Sequence, residues 1–174
     1  MSLKNKTRLF KWLCFGICFL IFTALQTSVF SRFPLKGAVP MLAPAAAVIV
    51  TMLDGSTDAV VFSMIAGIIA DGLTGASGFY TLTLCLTSAV IMSLVEKLVA
   101  RSKMMMFILS GVVTVAEHVL RTAVTSLFTH ASSSEALWAT MFPELLYTLV
   151  ITIPMLLIMA NIEQKFTRTS RYRR

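Results

Sequence analysis

Six apolar runs follow one another along the chain and predict six membrane-spanning helices. The runs carry few charges, and short polar or glycine-rich segments separate them. About 20 apolar residues suffice for a helix to cross a bilayer. The predicted helices cover approximately residues 10–30, 40–53, 59–73, 79–95, 104–128 and 141–160. The pattern therefore predicts an all-α membrane protein, a compact bundle of six transmembrane helices forming a single domain over residues 1–174.

Helix 3 is predicted to be shorter than a full bilayer crossing. Residues 59–73 rise about 22 Å at 1.5 Å per residue, against about 30 Å of hydrocarbon. Irregular backbone at such a depth must be buried in protein or line a wet cavity. We therefore expect the glycine-rich turn that follows to be recessed, and to be covered by other helices or by a partner protein.

Composition supports the membrane interpretation. Hydrophobic residues make up 57% of the chain and charged residues 13%, and the mean hydropathy is +0.84. A soluble domain carries about 25% charged residues. The net charge of +7 could indicate a nucleic-acid partner, but its distribution along the chain indicates membrane topology instead, so no nucleic acid is expected.

The basic residues are concentrated in segments that six spans would place on one side of the membrane. Four lie in the N-terminal tail, three between helices 4 and 5, and five in the C-terminal tail: Lys4, Lys6, Arg8, Lys11, Lys97, Arg101, Lys103, Lys165, Arg168, Arg171, Arg173 and Arg174. Arg32 and Lys36 lie on the opposite side, and Arg121 lies within helix 5. The positive-inside rule therefore predicts that both termini are cytoplasmic.

The segment "GIIADGLTGASG" places a carboxylate and four glycines inside apolar sequence. Gly67, Asp71 and Gly75 are four residues apart and share one helix face. A residue as small as Gly67 lets another helix approach closely. We expect Asp71 to accept hydrogen bonds from backbone amides that the turn leaves unpaired. A proton or ligand site at Asp71, and a contact with a partner protein, are the alternatives.

The turn itself is expected to use its glycines for backbone conformation. Gly72, Gly75 and Gly78 can adopt the positive φ values that a tight turn requires. Gln26, near the end of helix 1, is a lone amide that could form a hydrogen bond to another helix.

Helix 5 carries a charged segment, "AEHVLRT". Glu117 and Arg121 are four residues apart and are predicted to pair along the helix, which would lower the cost of burying both charges. A proton relay through Glu117 and His118 is the alternative. Glu144 follows Pro143, a combination typical of the first turn of a helix, and indicates where helix 6 begins.

Motifs of enzymes and metal sites are absent from the sequence. It has no phosphate-binding glycine loop, no nucleophile elbow and no metal-ligand pair. Cys14, Cys18 and Cys85 all lie in apolar runs without a neighbouring cluster of ligands. We therefore predict no catalytic, cofactor-binding or metal-binding residues, and a protein that is not an enzyme.

Several of these segments together resemble one bacterial family. "LQTSVFSRF" closes helix 1, "VPMLAP" opens helix 2, and "GIIADGLTGASG" and Leu82 follow. This series resembles the rod-shape-determining protein MreD family, small six-span proteins with a Gly-x-x-x-Asp segment in the third helix and a Gly-x-x-Gly turn. Many relatives have an aspartate after the proline that opens helix 2, where this chain has Met41.

The resemblance implies a role in bacterial cell shape. Members of the family lie in the cytoplasmic (inner) membrane and bind the bitopic partner MreC. They belong to the elongation complex, with the actin-like MreB and the peptidoglycan synthases RodA and penicillin-binding protein 2. The resemblance therefore implies a non-enzymatic component that helps control peptidoglycan synthesis. Membrane lipids would surround it, and association of the chain with itself is left open.

A vitamin or micronutrient transporter is the alternative class. The family is similar in architecture to the substrate-binding subunits of energy-coupling-factor transporters, which are also small six-span proteins. Such subunits often have paired small alanines in helix 1, where this chain has Ala24 among bulky residues. In that class, Asp71 and the recessed turn would line an outward-facing cavity.

The predicted topology can be tested with reporter fusions. Fusions at Lys103 and Arg174 should report a cytoplasmic location, and a fusion at Ser133 an external one, because basic loops stay inside. A cytoplasmic signal at Ser133 would contradict the six-span arrangement.

Overall fold

A computed structural model describes residues 3–34, 38–75, 78–97, 102–129 and 134–171. These residues form six α-helices and a short π-helical segment that continues α1. The elements are α1 Leu3–Leu25, the π-helical segment Gln26–Phe30, α2 Leu42–Asp54, α3 Thr57–Thr74, α4 Phe79–Lys97, α5 Lys103–Thr129 and α6 Ser134–Arg171. The predicted all-helical class is confirmed for this part of the chain.

Among the described residues, four stretches are long and apolar enough to cross a membrane: Arg8–Phe30, Thr57–Thr74, Lys103–Val124 and Met141–Phe166. The apolar stretches Leu42–Asp54 and Phe79–Leu94 are shorter. The third helix has 18 residues, which corresponds to about 27 Å, so it is longer than the sequence predicted. These helices are compatible with a multi-pass membrane protein.

Helix α2 lies at the centre of the bundle. It contacts each of the other five helices, and residues 45–50 are completely buried. Its composition explains this position, because three consecutive alanines, Ala45 to Ala47, allow neighbouring helices to approach from several directions. Since protein surrounds α2, its short length does not expose unpaired backbone groups to lipid.

A chain of buried hydroxyl groups joins α2 to α3 and α4. The Thr51 hydroxyl lies 2.7 Å from the Ala47 carbonyl and 3.1 Å from the Ser88 hydroxyl. Ser88 in turn donates to Ser63, which donates to the Ala59 carbonyl at 2.9 Å. Each hydroxyl therefore has a partner where an unpaired one would be costly.

Ion pairs join α1, α2, α3 and α6 at one end of the bundle, which we call the tail end. The Lys11 ammonium contacts Asp54 and lies 2.7 Å from Glu163 Oε2. Arg8 pairs with Asp58. The acidic α2–α3 loop therefore lies beside the basic start of the chain, with the C-terminal part of α6 next to both.

The structure corrects the predicted start of the last helix. Pro143 was interpreted as a first-turn residue, but α6 begins at Ser134 and contains both Pro143 and Pro154. Glu144 is therefore not a helix-start carboxylate. It lies within the helix and is 5% exposed. Transmembrane helices tolerate internal prolines because neighbouring groups satisfy the backbone that they free.

The tail-end ion pairs predict a difference between two basic residues of α1. Lys11→Met should destabilise the protein by more than about 2 kcal/mol, because it leaves two largely buried carboxylates without this cation. The side chain of Lys11 is 13% exposed, whereas that of Arg8 is 62% exposed. Arg8→Met is the matched control and should cost at most about 1 kcal/mol. Thermal unfolding in detergent measures both, and equal losses would contradict this account.

Candidate functional site

Helices α3 and α4 cross with almost no space between them at Gly67. A Cβ atom added at Gly67 would lie 2.8 Å from the Thr81 nitrogen and 2.8 Å from the Tyr80 carbonyl oxygen. Both are backbone atoms, which cannot move aside as a flexible side chain can. The absence of a side chain at Gly67 is therefore what allows this crossing, and the helix that approaches it is α4.

Asp71 lies one turn beyond Gly67 and caps the start of α4. Its Oδ1 accepts a hydrogen bond from the Tyr80 amide at 2.8 Å. Its Oδ2 accepts from the Thr81 amide at 2.9 Å and from the Thr81 hydroxyl at 2.6 Å. The first-turn amides of a helix have no partner within it, and a carboxylate is favoured beside the positive helix N-terminus. These contacts agree with the structural interpretation of Asp71.

Only part of the predicted backbone role of the glycines is found. Gly75 and Gly78 have φ values of +71° and +82°, a region that glycine enters without steric cost. Gly75 ends α3, and the Gly78 carbonyl accepts from the Leu82 amide at 3.1 Å. Gly72 instead lies inside α3 and is not among the positive-φ glycines. Its predicted turn conformation is therefore wrong.

Tyr80 connects this turn to two other helices. Its ring is 2% exposed. Its hydroxyl accepts a hydrogen bond from Arg121 at 3.2 Å and lies 3.5 Å from the Met41 sulfur. The residue thus contacts α5 through Arg121 and the start of α2 through Met41. We call this end of the bundle the turn end.

The predicted pairing of Glu117 with Arg121 is replaced by other contacts. Glu117 is buried and accepts a hydrogen bond from the Thr83 hydroxyl at 2.7 Å. Arg121 lies 3.5 Å from Glu144 as well as beside Tyr80. The charge of Arg121 still acts on Glu117 through space. The four-residue spacing therefore identified two charges of one cluster but not their direct partners.

Glu144 brings α6 into the same cluster. Its Oε2 lies 2.9 Å from His118 Nδ1 and 3.5 Å from the Arg121 guanidinium. Both His118 and Glu144 are 5% exposed. Sequence reasoning missed this role because Pro143 suggested a helix start. The signal that could have found it is a carboxylate inside an apolar run.

The first amides of α2 are also paired by side chains of other helices. Gln26 Oε1 accepts from the Leu42 amide at 3.2 Å, and Thr148 Oγ1 accepts from the Met41 amide at 3.0 Å. Gln26 thus bonds to another helix, as its position suggested. Thr148 was not singled out in the sequence, where a lone threonine in an apolar helix carries no distinguishing signal.

We call the polar groups around this end the turn-end cluster: Asp71, Tyr80, Thr81, Thr83, Glu117, His118, Arg121 and Glu144. Its members come from α3, α4, α5 and α6, and most of their polar atoms contact one another or backbone amides. The described residues contain no group of three or more His, Cys, Asp and Glu side chains arranged to hold a metal ion. The arrangement is suited to holding helices together.

A small cavity adjoins the cluster. Its volume is about 20 Å³, and its polar lining comes from Thr23, Gln26, Thr74 and Tyr80. A cavity of this size has room for one water molecule. Ligand sites for small molecules are usually about 300–1,000 Å³, so the cavity as it stands would not hold a vitamin.

Comparison of the chain with protein-family models, with curated proteins and with solved structures gives no match in any of the three.

The contacts of Gly67 predict opposite effects for two alanine substitutions in α3. Gly67→Ala should destabilise the protein by about 1–3 kcal/mol, because the new methyl group overlaps the backbone of α4. Gly72→Ala is the matched control. An added Cβ there meets nothing within 4 Å, so stability should stay constant or rise by up to about 1 kcal/mol. Thermal unfolding of both variants in one detergent is the measurement, and a tolerated Gly67→Ala would exclude the close crossing.

Proposed function

We propose that this chain is a non-enzymatic membrane component of the bacterial cell-elongation complex, and that it acts by binding a bitopic MreC-like protein. The observation that carries the proposal concerns the segment "GIIADGLTGASG", by which the chain resembles the MreD family. In the structure this segment forms the contact between α3 and α4. Gly67, Asp71, Gly75 and Gly78 build the α3–α4 unit, and both oxygens of Asp71 accept hydrogen bonds from it. A carboxylate occupied in this way supports a structural role for the segment.

The outer surface of the bundle supports action through contacts within the membrane. Large apolar side chains are exposed on five of the six helices, for example Ile17 on α1, Ile65 on α3, Leu86 on α4, Val112 on α5 and Val150 on α6. The three carboxylates of the turn-end cluster, Asp71, Glu117 and Glu144, are buried. Such a surface suits lipids and apolar helices of partners. Through an MreC-like protein, the chain would associate with MreB, RodA and penicillin-binding protein 2.

The proposal includes six spans in the bacterial inner membrane, with both termini in the cytoplasm. The apolar stretches of α2 and α4, Leu42–Asp54 and Phe79–Leu94, are short. Helix α2 is enclosed by protein, which removes the need for a long lipid-facing surface. An even number of spans puts both termini on one side. The contact of Lys11 with Glu163 supports this, because it joins the start of α1 to the last part of α6. The basic tails argue that this side is cytoplasmic.

The small cavity favours this role over that of a vitamin-binding transporter subunit. A ligand site would need at least about 300 Å³, whereas the cavity beside Gln26 and Tyr80 measures about 20 Å³. Asp71, which would line the site in a transporter, is instead engaged by the start of α4.

Purification from the native membrane in a mild detergent tests the proposal. We expect a bitopic membrane protein with a large periplasmic domain to co-purify in amounts comparable to the chain itself. Co-purification of an ATPase with a coupling subunit would instead support the transporter alternative. Recovery of the chain with neither would contradict the proposal.

Two variants separate a packing role of the motif from a charged functional site. Asp71→Asn retains one acceptor oxygen for the α4 amides, so it should fold, bind the partner and retain much of the elongation activity. Gly67→Leu should prevent assembly, because about four extra carbons cannot fit the crossing. If Asp71→Asn assembled normally but lost all activity while Gly67→Leu was tolerated, Asp71 would have to act through its charge.

A further inference from the structure

A row of positions on α1 changes from apolar to basic at the tail end. Phe10, Leu13 and Ile17 are each more than half exposed, and their spacing puts them on one face of the helix. Lys6 lies one turn before Phe10 in the same helix, so this face continues to a basic position. The apolar stretch long enough to cross a membrane begins at Arg8, which places Lys6 just beyond it.

Helix α6 has a matching row. Leu157 and Ile158 are exposed, and Lys165 is exposed two turns after Ile158. Arg168 follows three residues later within α6, so Ile158, Lys165 and Arg168 share a face. The apolar stretch of α6 ends at Phe166. This row therefore also passes from apolar to basic positions where the membrane-crossing stretch ends.

The two rows lie side by side because α1 and α6 pack together at the tail end. The ring centres of Phe10 and Phe166 are 6.0 Å apart. Lys6 lies about 6 Å before Phe10 along α1, and Arg168 about 3 Å after Phe166 along α6. Because α1 leads away from the tail end and α6 leads towards it, both basic positions lie on the same side of the ring pair. We call this surface the basic seam: Lys6, Phe10, Leu13, Ile158, Lys165 and Arg168.

Positive charge exceeds negative charge around the basic seam. In the described parts of α1, α2, α3 and α6, the charged residues of the tail end are seven basic and three acidic ones: Lys4, Lys6, Arg8, Lys11, Lys165, Arg168, Arg171, Asp54, Asp58 and Glu163. Each of the three carboxylates already contacts a cation, since Lys11 contacts Asp54 and Glu163, and Arg8 pairs with Asp58. The excess therefore calls for an anion from outside the chain.

We propose that the basic seam binds an anionic phospholipid of the leaflet at the tail end. Its acyl chains lie along the apolar rows of α1 and α6, and its phosphate lies beside Lys6, Lys165 and Arg168. Lysine and arginine bind phosphate through charge-assisted hydrogen bonds, and basic pockets between transmembrane helices bind anionic headgroups. The rows match a lipid because apolar and basic positions follow one another on the same helix faces, whereas free phosphate would use only the basic ones. The proposal goes beyond partner binding and does not depend on it.

Native mass spectrometry of the full-length protein released from lipid nanodiscs tests the proposal. The nanodiscs contain phosphatidylglycerol, which is anionic, and phosphatidylcholine, which is zwitterionic, in equal amounts. We expect the lipid retained on the protein to be enriched in phosphatidylglycerol by about fivefold or more, because each basic residue at a membrane surface adds attraction for anionic lipid. Retention of the two lipids in equal amounts would overturn the proposal.

Two double variants distinguish the basic seam from general surface charge. Lys165→Gln with Arg168→Gln should lower the enrichment by about threefold or more. Lys97→Gln with Lys103→Gln is the matched control, because it removes two basic residues of α4 and α5 at the tail end, and it should change the enrichment by less than about twofold. Equal losses would show a diffuse attraction and contradict the seam. If the α6 variant does not fold, Lys6→Gln decides, with an expected loss of about twofold or more.

A competition with inorganic phosphate separates a lipid site from a phosphate site. At constant ionic strength, replacing chloride by phosphate should leave the retained phosphatidylglycerol unchanged, because free phosphate cannot occupy the apolar rows of Phe10, Leu13 and Ile158. Displacement of the lipid by phosphate would show that the basic residues alone form the site, and the lipid proposal would be wrong.

Discussion

The bonds from the first turn of α4 to Asp71 are the interaction on which the turn end depends. A helix that starts inside a membrane protein exposes amides for which lipid offers no partner. Asp71 supplies two acceptor oxygens from the neighbouring helix. This is feasible only because Gly67, one turn earlier, brings the two backbones into contact. The close crossing at Gly67 and the helix cap by Asp71 therefore depend on each other.

Pairing of buried polar groups between helices recurs along the bundle. Hydroxyl groups of Thr51, Ser88 and Ser63 connect three helices in the middle. Side chains of Gln26 and Thr148 pair the first amides of α2 at the turn end. At the tail end, ion pairs of Lys11 and Arg8 connect α1 to α2, α3 and α6. Helix α2 can lie at the centre because its own side chains are mostly small and apolar. Its first amides are paired by side chains of neighbouring helices.

This pairing of polar groups inside the bundle fits the proposed role as a membrane component that acts by binding other proteins. Many of its polar side chains are buried, and large apolar side chains are exposed on its surface. The proposed binding of an MreC-like protein uses that surface.

The sequence by itself determined the helical class, the apolar runs and the local roles within α3. Gly67 and Asp71 were interpretable because spacing along one helix specifies which residues share a face. Three outcomes were decided only by tertiary structure. Glu144 contacts His118 and Arg121 from another helix, Gly72 remains helical, and Pro143 lies inside α6. The physical reason is that these depend on packing between segments distant in sequence: the bond from Met41 to Thr148 spans 107 residues. Local periodicity predicts which face of a helix is buried, but the partner that meets this face is selected by the whole bundle.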